Sequence, residues 1–282
     1  MTLPSARVPG RPLVMGVVNV TPDSFSDGGA WFTPEAALAH GRELVAQGAD
    51  LLDVGGESTR PGAERPSTEE ELRRVLPVVE ALSELAPVSV DTMRASVAAA
   101  ALDAGATLVN DVSGGLADPE MVPLVAARGV PVVAMHWRGH STVMQDRARY
   151  DDVVADVCRE LTARVEAFVA AGVPADDVVL DPGLGFAKLA HHNWELLRRL
   201  DEVSALGHRL VVGSSRKKFL GLVGRTAETE RAPLDRDVAT AATTLYAAQH
   251  GVWCVRVHDV VGTVDALDVA DALAGRGPGE PS

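Results

Sequence analysis

Cysteine is scarce in this chain, and long apolar runs are missing. Only two of the 282 residues are cysteine, Cys158 and Cys254, and they form no Cys-x-x-Cys pair. This excludes a disulfide scaffold and predicts a reducing compartment, the cytoplasm, with both thiols buried as small apolar groups. No segment offers the roughly 18 consecutive apolar residues that a membrane span needs. Residues 1–12 also lack the apolar segment of a signal peptide.

Basic charge is also in deficit. The chain has 26 Lys and Arg residues against 39 Asp and Glu residues, so its net charge is −13. This balance argues against a nucleic-acid partner, which usually needs a basic surface, and against a membrane partner of anionic lipid. Hydrophobic residues make up 46% and charged residues 23% of the chain, which excludes intrinsic disorder.

Several common catalytic motifs are absent from the sequence. It contains no P-loop, no His-Glu-x-x-His motif and no Gly-x-Ser-x-Gly nucleophile turn. Its eight histidines follow no zinc-type spacing. The chemistry must therefore lie in another pattern.

The pattern that is present is a regular alternation of short apolar runs with longer Ala-, Leu- and Glu-rich segments. The runs are nearly continuous in apolar residues, which is typical of parallel strands buried on both faces. They are Leu13–Val20, Asp50–Gly55, Val88–Asp91, Thr107–Asp111, Pro131–His136, Val178–Asp181, Arg209–Gly213 and Val252–His258.

Capping signals mark the helix ends between these runs. Thr33-Pro34 predicts a helix start, and Thr68-Glu69-Glu70-Glu71 predicts a capping box. A glycine suited to a helix C-terminus precedes six of the strands. These glycines are Gly48, Gly105, Gly129, Gly172, Gly207 and Gly251.

Eight strands alternating with eight helices fit either a (β/α)8 TIM barrel or a doubly wound open sheet. A dinucleotide-binding sheet normally has Gly-x-Gly-x-x-Gly after its first strand. Here the first strand ends in Asn19-Val20-Thr21-Pro22-Asp23 instead. The sequence therefore favours the α/β class and a single-domain TIM barrel over 13–273, with flexible tails at 1–12 and 274–282. The active site would lie at the C-terminal ends of the strands.

Polar residues collect where the predicted strands end, and in a barrel these ends share one face. They are Asn19, Asp53, Glu57, Asp91, Asn110, Asp111, His136, Asp181, Ser215, Arg216, Lys217, Arg256 and His258. For Asp53 and Asp111 a second interpretation stays open, since either could cap a loop instead.

The set combines two kinds of chemistry. Asp91, Asn110 and Asp181 suit a neutral heterocycle with several N–H donors. The cations suit an anion, in particular a phosphate; they are Arg60, Lys217, Arg256 and His258. Gly-rich turns nearby let backbone approach a ligand closely. A ligand with one heterocyclic end and one phosphate end satisfies both groups.

Eight strings in this order closely resemble the dihydropteroate synthase family, over about residues 13 to 272. They are MGVVNVTPDSFSDGG (15–29), DVGGESTRPGA (53–63), SVDTMR (89–94), NDVSGG (110–115), MHWRG (135–139), DPGLGFAK (181–188), GSSRKKFL (213–220) and RVHDV (256–260). The resemblance implies a TIM-barrel transferase of folate biosynthesis. Such an enzyme condenses 6-hydroxymethyl-7,8-dihydropterin diphosphate with 4-aminobenzoate to give 7,8-dihydropteroate and diphosphate. It also implies Mg²⁺, inhibition by sulfonamides and a homodimer formed through outer helices.

The resemblance further implies which residues form the site. The pterin would contact Asp91, Asn110, Val112, Met135, Asp181, Phe186, Gly213 and Lys217. The diphosphate would contact Asn19, Thr59, Arg256 and His258, with Asn19 as the Mg²⁺ ligand. The 4-aminobenzoate and the loops 21–30 and 57–66 that close over it would involve Asp23, Ser24, Phe25, Thr59, Arg60, Pro61, Phe186, Ser215 and Lys217. The catalytic residues would be Asp91, Asp181, Lys217, Arg256 and His258.

Some assignments and functions have alternatives. Val112 and Met135 could equally be core packing, whereas Phe186 lies in a Gly-rich loop and is expected to face the ligand. A methyltetrahydrofolate-type methyltransferase would share the Asp/Asn pocket but has no use for Thr59-Arg60-Pro61-Gly62. A non-catalytic pterin-binding paralogue and an aldolase-type enzyme with a Schiff base on Lys217 are the other candidates. Release of diphosphate and trapping with borohydride would distinguish them.

Overall fold

The strands of this computed structural model, which describes residues 3–5, 8, 10–21, 33–58, 63, 65–140 and 144–276, form one parallel barrel. Within those residues there are eight strands: β1 (Leu13–Asn19), β2 (Leu51–Gly55), β3 (Val88–Asp91), β4 (Leu108–Asp111), β5 (Val132–Met135), β6 (Val178–Asp181), β7 (Val211–Val212) and β8 (Cys254–Val257). Their order is β6-β5-β4-β3-β2-β1-β8-β7. A parallel bridge between Leu180 and Leu210 joins β6 to the segment before β7 and closes the circle.

Closure confirms the predicted (β/α)8 TIM barrel and rules out the open doubly wound sheet. Every strand lies inside its predicted run, although β7 and β8 are shorter than predicted. The tails at 1–12 and 274–282 stay predictions.

Helices surround the barrel and follow the strands in turn. The described residues form α1 (Pro34–Ala46), α2 (Thr68–Ser83), α3 (Ala95–Asp103), α4 (Met121–Arg128), α5 (Val153–Ala170), α6 (Ala190–Arg198), α7 (Leu200–Ser204), α8 (Lys218–Gly221), α9 (Asp237–Gln249) and α10 (Val260–Leu273). The short α7 and α8 add to the eight helices that the sequence predicts. No helix in this part of the chain is long and apolar enough to cross a bilayer.

The helix caps agree with the sequence except at α2. Thr33 caps α1 by accepting the N–H of Ala36, and the six predicted C-terminal glycines all have positive φ. The predicted box at Thr68 is wrong by one residue, because Ser67 is the cap and its Oγ accepts the N–H of Glu70 at 3.2 Å. Ser and Thr are both favoured N-cap residues, so adjacent Ser67 and Thr68 are ambiguous in sequence.

The interior has two layers. The larger lies between the strands and the helices. The smaller fills the barrel itself and consists of Leu13, Met15, Leu51, Leu108, Val133, Val179, Val211 and Cys254. Cys254 is buried there as predicted, but the prediction for Cys158 is wrong: it is half-buried on α5, whose outer edge leaves the thiol near the carbonyl of Glu202.

The inner layer also determines where the polar side chains lie. Side chains alternate along a strand, so the residue two positions after an inward one is also inward. Leu108, Val179 and Cys254 are therefore followed on the inner face by Asn110, Asp181 and Arg256. The apolar filling thus ends where a polar layer begins, at the C-terminal end of the barrel.

The cap of α2 can be tested directly. We expect Ser67→Ala to lower the free energy of unfolding by about 1 kcal/mol, since it leaves the N–H of Glu70 without its acceptor. Thr68→Ala, the matched control, should change it by less than about 0.5 kcal/mol. Chemical denaturation of both variants measures the difference, and a larger loss in Thr68→Ala would place the cap at the residue that the sequence predicted.

Candidate active site

A buried ion-pair cluster occupies the C-terminal end of the barrel. The Nε of Arg256 donates to Oδ2 of Asp53 at 2.6 Å, and its Nη2 donates to Oδ2 of Asp91 at 3.0 Å. The same Oδ2 of Asp53 accepts the amide of Asn110 at 3.1 Å. One carboxylate therefore links Asn110 and Arg256, two residues that the sequence assigned to different ends of the ligand.

Asp53 is the residue of this cluster that sequence reasoning left undecided. It lies within β2, not in a loop, and its side chain is 0% exposed. Its Oδ1 is buried and has no hydrogen-bond partner among the described residues. Asp53 therefore belongs to the site as the group that holds Arg256 and Asn110, and the loop-cap interpretation is wrong for it.

Asp111, in contrast, is a loop cap. Its carboxylate accepts the N–H and the hydroxyl of Ser113 at 2.8 and 2.7 Å, and the N–H of Gly115 at 2.7 Å. It caps the loop after β4 and faces away from the cluster around Arg256. The structural interpretation of Asp111 is confirmed.

The charges in the cluster shift one another. Burial and the neighbouring Asp53 raise the pKa of Asp91 to about 8, although Arg256 opposes this rise. Burial lowers the pKa of Arg256, but the carboxylates of Asp53 and Asp91 outweigh it and the net shift is upward. The single guanidinium of Arg256 thus pairs with two carboxyl groups. A ligand that donates N–H groups to Asp91 would stabilise the ionised form of Asp91.

Asp181 and Lys217 form the opposite wall. The N–H of Gly183 donates to Oδ1 of Asp181 at 2.7 Å. The Nζ of Lys217 donates to the carbonyl of Leu184 and lies 4.7 Å from the centre of the Phe186 ring. Burial lowers the pKa of Lys217 to about 8, against the opposing effect of Asp181.

Gly213 lies between the two walls. A Cβ at this position would stand 3.7 Å from the Cβ of Arg256 and 3.9 Å from the Nζ of Lys217. Both are ordinary contact distances, so the glycine is not demanded by packing. Gly213 is therefore adjacent to both cations.

An apolar patch completes the pocket. Val112 and Met135 cluster with Met93, and Phe186 packs against them. This cluster is separate from both core layers and lies just beyond the strand ends. Sequence reasoning missed Met93, whose only signal was its place in the SVDTMR string after β3.

Ser215 and His258 are held together. The Oγ of Ser215 accepts the backbone N–H of His258 at 3.1 Å and bonds to its Nδ1 at 2.9 Å. The structure therefore groups Ser215 with a diphosphate candidate, whereas the sequence placed it beside 4-aminobenzoate. Between Ser215 and Lys217, Arg216 adopts a left-handed φ of 57°.

The left-handed turn at Arg216 is stabilised from α9. Its guanidinium makes two hydrogen bonds to Asp237, at 2.7 and 2.8 Å, and its N–H donates to Thr240. A left-handed conformation costs a non-glycine residue on the order of 1 kcal/mol, and these bonds offset it. The turn directs Lys217 into the barrel mouth. Nothing in the sequence pointed to Asp237, which is 21 residues away.

A second ion-pair network supports the loop after β2. Glu57 accepts from Arg65 at 2.7 Å and from Arg94 at 3.1 Å, and Arg94 also pairs with the buried Glu71. These pairs connect the start of this loop to its end and to the segment after β3. Glu57 was among the polar strand-end residues of the sequence, but its partners were not foreseen.

The remaining predicted residues divide into two groups. Asn19 ends β1 and is half-buried. Six loop positions lie outside the described residues: Asp23, Ser24, Phe25, Thr59, Arg60 and Pro61. Among the residues that the structure describes, no group of three or more His, Cys, Asp or Glu side chains is arranged to hold a metal ion.

Comparison with known proteins identifies the family. The model of the family described as "pterin binding enzyme" matches residues 15–258. The dihydropteroate synthase of Mycobacterium leprae is 53% identical over 94% of both chains, and that of Bacillus subtilis is 42% identical over 95% of this chain and 90% of its own. This chain belongs to the dihydropteroate synthase family of pterin-binding enzymes. It is accordingly an enzyme and a transferase, as the sequence predicts.

Solved structures of the family agree with the fold. The dihydropteroate synthase of Xanthomonas albilineans with 4-aminobenzoic acid superposes with a TM-score of 0.85 at 48% identity, covering 96% of this chain and 94% of that one. The Yersinia pestis dihydropteroate synthase in a sulfonamide drug complex gives a TM-score of 0.88 at 42% identity, covering 94% and 95%. These matches span the whole barrel and argue against the methyltransferase and aldolase alternatives.

The lowered pKa of Lys217 predicts a pH dependence of pterin binding. Because the ammonium loses its proton near pH 8, affinity for a pterin should fall as the pH rises from about 7 to about 9. Calorimetric titration across this range measures the effect. Lys217→Arg, whose charge persists, should not show this fall, and any rise that it shows would report ionisation of Asp91, whose pKa is raised to about 8. The same decline in Lys217→Arg would assign it to the pterin or another group.

Proposed function

We propose that this enzyme condenses 6-hydroxymethyl-7,8-dihydropterin diphosphate with 4-aminobenzoate, releasing diphosphate and 7,8-dihydropteroate, and that sulfonamides inhibit it. The observation that carries the proposal is the meeting of two chemistries at one barrel mouth. Hydrogen-bond acceptors suited to a pterin (Asp91, Asn110, Asp181) stand beside cations suited to a diphosphate (Arg256, His258). A Xanthomonas albilineans relative at 45% identity is solved with 7,8-dihydropteroate.

The pterin would lie beside Gly213, between Arg256 and Lys217. A carboxylate can accept two adjacent N–H groups, and Asp181 is already oriented by the N–H of Gly183. Asn110, fixed by Asp53, both donates and accepts and so sets which way the ring faces. Lys217 would donate to the carbonyl side of the ring, with Phe186, Met135 and Val112 as the apolar walls.

Mg²⁺ fits the donor set but would depend on the substrate. The described residues contain no cluster of three or more acidic, His or Cys side chains that could hold the ion by itself. We propose Asn19, at the end of β1, as its protein ligand. Mg²⁺ commonly takes one or two protein oxygens and completes its shell with phosphate oxygens and water. When bound, it would neutralise negative charge on the leaving diphosphate.

We propose a dissociative course for the transfer. The bond between the methylene carbon and the diphosphate oxygen breaks first, and its electron pair leaves with the diphosphate, which Arg256 and His258 help to hold. The dihydropterin ring delocalises the carbocation, and Asp91 and Asp181 would stabilise it, because a positive charge beside them lowers their raised pKa values and favours their ionised forms. The amine of 4-aminobenzoate then forms the C–N bond and releases its proton to solvent, which requires no strong base. Exclusion of water from the site would protect the carbocation until the amine attacks.

The enzyme assay tests the proposed reaction. Purified protein with both substrates and Mg²⁺ should release diphosphate, and a sulfonamide should suppress the release in competition with 4-aminobenzoate. A pterin-binding paralogue without activity would bind the pterin but release no diphosphate. An aldolase-type enzyme would instead be inactivated by borohydride with a carbonyl substrate, through Lys217.

The role of Asp91 in the cation step makes a separate prediction. Asp91→Asn keeps the acceptor oxygen but removes the charge, so kcat should fall by about 100-fold or more while pterin affinity falls by less than about tenfold. Steady-state kinetics and calorimetry give the two numbers. Weaker pterin binding with unchanged turnover would contradict the role. Positional isotope exchange within the substrate diphosphate, without 4-aminobenzoate, tests whether dissociation comes first.

We further propose the cytoplasm as the location, in line with a chain that has two unpaired cysteines.

We also propose a homodimer formed through outer helices. The support is an exposed apolar face on α9 and α10, which pack side by side. Val238 and Leu273 are each 85% exposed, Val269 59% and Val261 46%. Isolated exposed apolar residues are ordinary, but four on two adjacent helices are typical of an interface. A second copy of the chain would cover them.

Charge placed on this face should separate the dimer. We expect Val238→Glu with Leu273→Glu to reduce the mass measured by analytical ultracentrifugation from dimer to monomer, because two carboxylates would be buried without partners. Val169→Glu is the control, since Val169 is exposed on the distant α5. A wild-type monomer, or an unchanged dimer in the double variant, would contradict the proposed interface.

A further inference from the structure

Lys188 is a buried cationic residue that the proposed reaction does not use. It follows the Gly-rich loop after β6 and its side chain is 4% exposed. Its Nζ has three acceptors: Nδ1 of His136 at 2.9 Å, the carbonyl of Gly183 at 3.0 Å and the carbonyl of Phe186 at 3.1 Å. An ammonium has three N–H donors and a neutral amine has two. Burial lowers the pKa of Lys188, but the three acceptors match the three donors of the ammonium form.

The bond from Lys188 fixes the tautomer of His136. If Nδ1 accepts, the ring proton is on Nε2, which lies 2.9 Å from Oε2 of Glu160 and donates to it. Burial and the charge of Lys188 lower the pKa of His136 to about 4, so the ring is neutral. Glu160 is in turn paired with Arg138. A chain of directed bonds thus runs from α5 through His136 to Lys188.

The two carbonyls that Lys188 binds belong to residues that form the pocket. Gly183 accepts from Lys188 through its oxygen and donates through its N–H to Asp181. Phe186 accepts through its oxygen, while its ring faces Lys217. Lys188 therefore connects Gly183, whose N–H orients Asp181, to Phe186, the aromatic wall of the same pocket. Asp181 is the carboxylate that we propose binds the pterin.

The loop 182–187 has little space to adopt another conformation. Gly183 has a φ of 67°, and a Cβ there would stand 2.5 Å from the carbonyl of His136. The loop backbone therefore lies directly against the end of β5. Without the ammonium, the carbonyls of Gly183 and Phe186 would lose a buried partner, and unpaired buried carbonyls favour a different loop conformation.

We propose that Lys188 is a positioning residue for pterin binding, which fixes the loop 182–187 from beneath and thereby aligns Asp181 and Phe186. This inference rests on the proposed function, since it takes the pterin as the ligand of Asp181. Lys188 itself does not face the ligand. Its effect passes through Gly183 and Phe186.

Binding experiments test the inference. Lys188→Met keeps the length of the side chain and removes its donors, so affinity for 6-hydroxymethylpterin should fall by about 10- to 100-fold in calorimetry, the loss typical of a charged hydrogen bond. Lys218→Met is the control, because the Lys218 side chain is 78% exposed, and it should bind like the wild type. If the wild type itself binds no pterin, the proposed function fails. If the wild type binds and Lys188→Met binds equally well, the role of Lys188 fails.

A second pair of variants avoids the buried position. Glu160→Leu removes the acceptor of His136 and should weaken pterin binding from outside the pocket, whereas Glu160→Gln keeps an acceptor and should restore binding to near the wild-type value. Nitrogen-15 NMR of labelled histidine should find the proton of His136 on Nε2 in the wild type. Equal binding by Glu160→Leu and Glu160→Gln, or a proton on Nδ1, would overturn the proposed chain of bonds.

Discussion

The site depends on the interaction of Arg256 with two buried carboxylates. Asp53 is 0% exposed, and an isolated carboxylate at that depth would be very unfavourable. Its bond to Arg256 makes the burial possible, and Asn110 donates a second hydrogen bond to the same oxygen, Oδ2. Arg256 in turn is held in one orientation, with its second contact on Asp91. Four side chains from β2, β3, β4 and β8 thus share one network, and the proposed pterin pocket is built around it.

The network also explains how one site can serve two ligand chemistries. Three carboxyl groups, Asp53, Asp91 and Asp181, face two cations, Arg256 and Lys217, and burial raises the pKa values of Asp91 and Asp181, which disfavours ionisation of all three in the empty pocket. N–H groups of a neutral heterocycle would stabilise the ionised carboxylates. A diphosphate would need the cations instead, which fits its place beyond the ring at His258. The order of the groups along the pocket, more than their number, determines which end of a substrate goes where.

Most of the fold could be predicted from the sequence because the pattern that marks a buried strand lies within a few consecutive residues. Runs without polar alternation are typical of strands buried on both faces, and the missing Gly-x-Gly-x-x-Gly favoured the barrel over the open sheet. The strand-end position of Asp91, Asn110, Asp181 and Arg256 followed from that. Their partners did not, because pairing depends on which strands become neighbours across the barrel. Asp53 bonds to Arg256 over 203 residues of sequence, and no local pattern distinguishes such an aspartate from a loop cap.

Similar reasoning applies to the errors at single residues. Ser67 and Thr68 have the same capping chemistry, so only the path of the chain before α2 selects Ser67. Cys158 lies one position after a buried valine, and only the tilt of α5 on the barrel decides how much of its thiol is covered. Arg216 carries the same charge as Lys217, but its turn directs it to Asp237 on α9. In each case the sequence limits the options to two, and tertiary packing chooses between them.

The net charge of −13 would by itself oppose a diphosphate substrate, but the distances between the charges resolve this conflict. Exposed charges are screened over about 8 to 10 Å at physiological salt, so most of the 39 acidic groups act weakly at the barrel mouth. Charges in direct contact within a buried pocket are screened much less. The cations at the strand ends, Lys217 and Arg256, therefore act on a ligand more strongly than the larger number of distant carboxylates. Local geometry, and not overall composition, sets the sign of the field that a substrate would meet.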